Sequence, residues 1–214
     1  MLGLVRFARA ALGLVVVVGP ATADMATFEL TREYSGATPP SGNAPWLRAS
    51  FLSTTPGTVE LRLESFLSGT GEFISCWEFN LDSAFDPSLL TFTQDFGPIA
   101  TIDAQVDKFK AAGTGLYDVR MQWPTGAKKP DRFDSDFDLA EFVITSPEPL
   151  TAASFAAFST GGGNALHGLY TAAHIQGIGR GGDDSGWITT PVPDAGLLAI
   201  LGLGTLASMR RRLT

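Results

Sequence analysis

Val59-Glu60-Leu61-Arg62-Leu63-Glu64 alternates apolar and charged residues without a break. Successive side chains of an extended strand point to opposite faces, so Val59, Leu61 and Leu63 share one face and Glu60, Arg62 and Glu64 the other. Such a strand is half buried. The same period continues upstream, where Leu47, Ala49, Phe51 and Ser53 alternate with Arg48, Ser50 and Leu52, and Phe28 and Leu30 alternate with Thr27, Glu29 and Thr31. Downstream, 73–81, 89–96, 116–123 (Tyr117, Val119, Met121 and Trp123 on one face) and 142–145 read as further strands. Between them stand Ser35-Gly36, Pro39-Pro40-Ser41-Gly42-Asn43, Thr55-Pro56-Gly57 and Ser68-Gly69-Thr70-Gly71, all turn chemistry. No long stretch of helical period intervenes, which disfavours strand-helix-strand units. About eight strands on short turns predict an all-β fold, an antiparallel β-sandwich of jelly-roll type.

The strands fall within 24–190, a length suited to one domain with a real core. Of the 22 acidic residues 21 lie there, with 10 of the 15 basic ones, a formal charge of −11. Such a surface repels nucleic acid and anionic lipid and suits a solvated exported protein or one that meets divalent cations. Cys76 is the sole cysteine, so no intrachain disulfide forms and stability comes from packing.

The two ends read as addresses. Arg6 and Arg9 precede an apolar run over 10–19, and Ala21-Thr22-Ala23 follows Pro20. A basic start, a short apolar middle and a small-x-small joint make a signal peptide over 1–23, carried by the Sec translocon and cut after Ala23. At the other end Val192-Pro193-Asp194 precedes an apolar stretch over 196–209 and then Arg210, Arg211 and Arg212. Fourteen residues rising about 1.5 Å each reach ~21 Å, short of a ~30 Å hydrocarbon core, so 191–214 reads as a sorting helix that is removed after brief anchoring. Arginines on the outer end of each apolar segment keep both ends cytoplasmic and the domain outside.

This tail resembles the PEP-CTERM sorting signal of Gram-negative bacteria, handled by the membrane protease-transpeptidase exosortase. The family's usual core is Val-Pro-Glu-Pro; here Asp194 stands for the Glu and Ala195 for the second Pro, as in sister versions of the signal. Residues 138–214 are also similar to exported domains that carry it: the strand Phe142-Val143-Ile144-Thr145, the Leu150-Thr151 to Phe155 segment, and Ala172-Ala173-His174-Ile175-Gln176-Gly177 before a Gly-rich turn. The resemblance implies fold and destination, not chemistry.

For chemistry, Asp134, Asp136 and Asp138 at spacing two set three hard oxygens in reach of a calcium ion. An EF-hand is excluded, because its sixth position would be Leu139 and its twelfth Thr145. Alternation with Phe133 and Phe137 also accounts for the spacing as a solvated face; both readings stand. Cys76 reads as a small half-buried hydrophobe with no local thiolate-stabilising partner. His167 and His174 lack a metal-binding spacing, so His174 is expected to be a strand histidine satisfied by neighbours. No Gly-x-Ser-x-Gly or phosphate-loop motif occurs, and Asp184-Ser185-Gly186 is expected in a loop unsuited to a nucleophile. Glu60 and Glu64 with Arg62 predict a cross-strand charged face, although Glu60, Glu64, Glu72 and Glu78 are also the candidates for a glycosidase pair. Trp46, Trp77, Trp123 and Trp187 are either core or a sugar-stacking platform.

The leading expectation is a non-enzymatic structural or adhesive protein of the cell envelope or extracellular matrix, with no cofactor unless calcium. A polysaccharide-binding or polysaccharide-hydrolysing module of the matrix is the alternative. Convergent carboxylates in an aromatic-lined cleft would favour an enzyme, and a flat acidic or Thr-rich sheet face a structural role.

Overall fold

The computed structural model describes residues 24–126, 132–136, 138–161 and 168–191. The leader over 1–23 and the sorting residues Val192, Pro193, Asp194 and Arg210 to Arg212 lie outside these, as do Ala21, Ala23, Phe137 and His167. The described residues form two antiparallel sheets. Their strands are β1 (Met25–Leu30), β2 (Arg32–Glu33), β3 (Leu47–Thr55), β4 (Thr58–Ser65), β5 (Phe73–Phe79), β6 (Thr91–Phe96), β7 (Thr101–Lys110), β8 (Leu116–Gln122), β9 (Phe133–Asp134), β10 (Leu139–Thr145), β11 (Thr171–Ile178) and β12 (Asp184–Thr189). One sheet runs β1-β3-β4-β10-β6; the other runs β2-β12-β11-β5-β8-β7, with β9 also on β5. No helix among the described residues is long and apolar enough to cross a membrane.

The alternation around Leu61 places its strand at the centre of the first sheet. β4 pairs Leu61 with Phe51 of β3 and with Phe142 of β10, all three buried. These inward side chains meet those of the second sheet in one core. Phe51 lies edge-on to Phe79 of β5 at 5.4 Å between centroids and stacks on Phe155 at 4.3 Å. Phe155 belongs to a short 3-10 turn, Ala152–Phe155, between β10 and β11. Burying a Phe or Leu side chain contributes about 1.5–3 kcal/mol, so the stability of the sandwich resides largely in this layer.

Three readings differ from the observed fold. In β5, read from the sequence as part of a strand over 73–81, regular alternation holds only from Trp77 onward. His174 pairs with Cys76 and Ile175 with Ile74, leaving Ser75 as the extra residue of a bulge. The bulge turns Ile74 into the core and Phe73 out beneath the Arg132 guanidinium, 4.2 Å from its ring. Residues 184–186, expected in a loop, start β12, which lies between β11 and β2. Gly186 masks the alternation, in a close fit where an added Cβ would lie 3.0 Å from Ala37 Cβ. β7 was not anticipated, although Ile102, Ala104 and Val106 alternate with Thr101, Asp103 and Gln105; its pairing then skips from Ala104 opposite Val119 to Phe109 opposite Tyr117.

Candidate functional site

The outer face of the first sheet carries the alternate residues that the core does not claim. Arg48 on β3 reaches Glu29 on β1 at 2.8 Å and Glu64 on β4 at 3.7 Å; Arg62 on β4 reaches Glu64 at 3.4 Å and Glu141 on β10 at 3.0 Å. The ladder thus crosses four strands, as Glu60, Arg62 and Glu64 predicted for their own. Each exposed pair contributes only about 0–1 kcal/mol, so the ladder sets the chemistry of the face more than its stability. Beside it lies a depression of about 530 Å³, with Met25, Leu52 and Val143 as its apolar part and Glu60, Arg62, Asp95 and Glu141 as its charged part. Glu60 and Asp95 have no ion-pair partner among the described residues. Its aromatic neighbour, Phe142, is buried in the core. The depression offers carboxylates and aliphatic carbon to a partner, and the ring beside the ladder, Phe66 (40 % exposed), lies 5.1 Å from the Arg48 guanidinium.

The outer side of the second sheet is covered instead. Phe109, Ala111, Tyr117 and Ala172 form a second small core with Trp187 packed against it. Among these groups sits Glu78, wholly buried, with Arg120 Nε donating to its Oε1 at 2.7 Å and the guanidinium in a second, shorter contact to the same oxygen. Arg120 also lies over the Phe109 ring at 4.8 Å, and Glu78 Oε2 has no hydrogen-bond partner. Burial raises the Glu78 carboxyl above its ordinary value, against the lowering by Arg120. Burial, reinforced by the Glu78 charge, pushes the Cys76 thiol up to about 12, so it stays protonated and inert.

Ser75 and His174, 99 residues apart, meet because of the β5 bulge: Ser75 Oγ stands 2.7 Å from His174 Nδ1 and donates to His174 O at 3.2 Å. The His174 ring lies 5.0 Å from that of Trp187, and burial lowers its pKa, favouring neutral imidazole. His174 is therefore a strand histidine with a hydroxyl partner, as expected. Among the described residues no carboxylate hydrogen-bonds it in the place that the orienting acid of a hydrolase triad takes. No local motif marks this meeting; the hint in the sequence is that Ser75 stands among Phe73, Trp77, Phe79 and Leu81 at alternate positions.

Of the other candidates, Asp134 is buried on β9 and its Oδ1 accepts from Asp136 N at 2.9 Å. The Asp138 carbonyl accepts from Ser65 N at 2.8 Å, tying the start of β10 to β4. Among the described residues no three His, Cys, Asp or Glu side chains are grouped to hold a metal ion. Glu72 is buried and structural, accepting from Ser41 N and Oγ, both at 2.9 Å. Trp46, Trp77 and Trp123 are in the core, leaving Trp187 half-buried over His174. No protein-family model, no curated protein and no solved structure matches the chain.

Proposed function

We propose that the chain is an exported structural or adhesive protein of the cell envelope or extracellular matrix, without catalytic activity. It is delivered through the Sec translocon and a PEP-CTERM-like tail processed by an exosortase-type protease. The observation that carries this reading is the outer face of the first sheet, where salt-linked Glu and Arg cross four strands beside the depression. A charged ladder of that breadth suits contact over an area. Core placement of Trp46, Trp77 and Trp123 supports it too, since those rings are spent on packing. The hydrogen bonds of Asp24 support a cut after Ala23: its carbonyl accepts from Ser53 N at 2.8 Å and its carboxylate from Ala153 N at 3.1 Å, so a chain starting there keeps the sandwich intact. Repeated passage of the chain between the two sheets supports the jelly-roll wiring.

The intact mass of the protein recovered from producing cells and medium tests the itinerary. Loss of 1–23 and of the tail beyond 191 is expected; a secreted chain keeping both ends refutes it. The second reading, a polysaccharide-binding or polysaccharide-hydrolysing module, would use Glu60, Asp95 and Glu141 around the depression. Retention on a matrix-polysaccharide column that is lost in Glu60→Gln would replace the structural role with that one.

A further inference from the structure

The two sheets end in four flanks, and three are closed to further strands. β2 is two residues long. β7 is bulged between Ala104 and Phe109, with Asp107 at a φ of 50° and Lys108 and Lys110 on its length. β1 is flanked at its start by the Ala152–Phe155 turn, bonded through Ala153 N to Asp24, and farther along by Tyr170, whose ring lies 5.1 Å from that of Phe28. Short, bulged, lysine-bearing or covered edges are how soluble sheets avoid adding strands.

β6 has little of this protection. It pairs with β10 alone, and no strand lies along its other flank among the described residues. Thr91 to Gln94 run in regular register against Thr145 to Phe142, the irregularity at Asp95 coming only afterwards. Thr-Phe-Thr-Gln-Asp-Phe contains neither Pro nor Lys. Exposed apolar side chains mark both of its ends, Leu89 (45 % exposed) just before it and Phe96 (54 %) at its close.

We propose that β6 is an interaction edge whose partner is β6 of a second copy, joined antiparallel about a two-fold axis at Thr93. The strand is complementary to itself in that register. Thr93 faces Thr93, Thr91 faces Asp95, Phe92 faces Gln94 and Leu90 faces Phe96. No carboxylate opposes a carboxylate, and a threonine hydroxyl meets the single aspartate. The apolar start of each strand lies against the apolar end of the other, removing Leu89 and Phe96 of both copies from water together. The first sheet then runs unbroken through both molecules, and the contact is closed by its symmetry. This goes beyond the envelope role and holds whether or not the chain is exported.

Sedimentation of the full chain in detergent, with site-specific crosslinking, tests it. Two thiols at position 93 would sit on the axis with Cα atoms about 4.5–5.5 Å apart, within disulfide range. Diamide would then join them, accepting the two thiol hydrogens. Thiols at position 91 would be about 14 Å apart by strand rise and would not join. Both positions are exposed and the native Cys76 is buried, so the fold and the background are unaffected. Thr93→Cys is expected to form covalent dimer at least about tenfold faster than Thr91→Cys, and Thr93→Lys, which opposes two ammonium groups, to weaken the dimer several-fold. Equal crosslinking at 91 and 93, as association through the apolar tail would give, overturns the proposal, and so does a wild-type chain that sediments as monomer at every concentration.

Discussion

Replacing Arg120 by Met removes the cation that faces a fully buried carboxylate while keeping the aliphatic bulk over Phe109. Glu78 is 0 % exposed, and both Arg120 contacts fall on one of its oxygens, so the variant leaves a charge with no compensation inside the second small core. Breaking a buried pair in this way typically removes 3–5 kcal/mol. The Arg120 side chain is about a quarter exposed, and screening there reduces the expected loss to roughly 2–4 kcal/mol at pH 7. At this chain length that lowers the melting temperature by roughly 2–4 °C per kcal/mol. The pH dependence separates electrostatics from packing. The Glu78 carboxyl is raised by burial in the fold, so its contribution to stability is fully present below its unfolded value of about 4.3 and fades as pH rises through the folded one. Without Arg120 the carboxyl rises further. The difference between wild type and Arg120→Met should therefore be largest at neutral pH and shrink as Glu78 takes up its proton in acid. Urea unfolding followed by tryptophan fluorescence from pH 4 to 8 measures it, and Glu78→Gln with Arg120→Met together should recover much of the loss. A difference below about 1 kcal/mol, or one that does not change with pH, would refute the reasoning.

Phe51 joins the sheets through Phe79 and Phe155; Phe51→Ala should cost about 3–5 kcal/mol in denaturant unfolding and Phe51→Leu about 1.5 kcal/mol or less, and equal small losses would mean that this ring does not bridge the layers. With its pKa near 12, only about one Cys76 thiol in ten thousand is ionised at pH 8, so iodoacetamide should label the folded chain far more slowly than the urea-unfolded one, and equal rates would contradict its placement. Calorimetric titration with calcium checks the aspartate reading: heat of binding lost in Asp136→Asn would establish a site at Asp134, Asp136 and Asp138, and its absence would leave those residues as a turn.

What local order could reveal was legible in the chain itself. Val59, Leu61 and Leu63 announce a half-buried strand because side-chain alternation is a property of the extended backbone, requiring no partner. The same holds for the regular stretches of β1, β3 and β10, and for the charged outer face that Arg62 shares with its neighbours. Tertiary structure alone decided who meets whom. Arg62 finds Glu141 across 79 residues, and Ser75 finds His174 across 99, through pairing between strands that sequence order leaves unspecified. The bulges in β5 and β7 reset which side chains face inward, and only the packed sheets select the register. Glu78, the most deeply buried acid among the described residues, looked like its neighbours Glu60 and Glu64. What sets it apart is the cover of Phe109, Tyr117 and Ala172, brought over it by strands distant in the chain, since desolvation depends on everything that surrounds a group and not on the residues beside it.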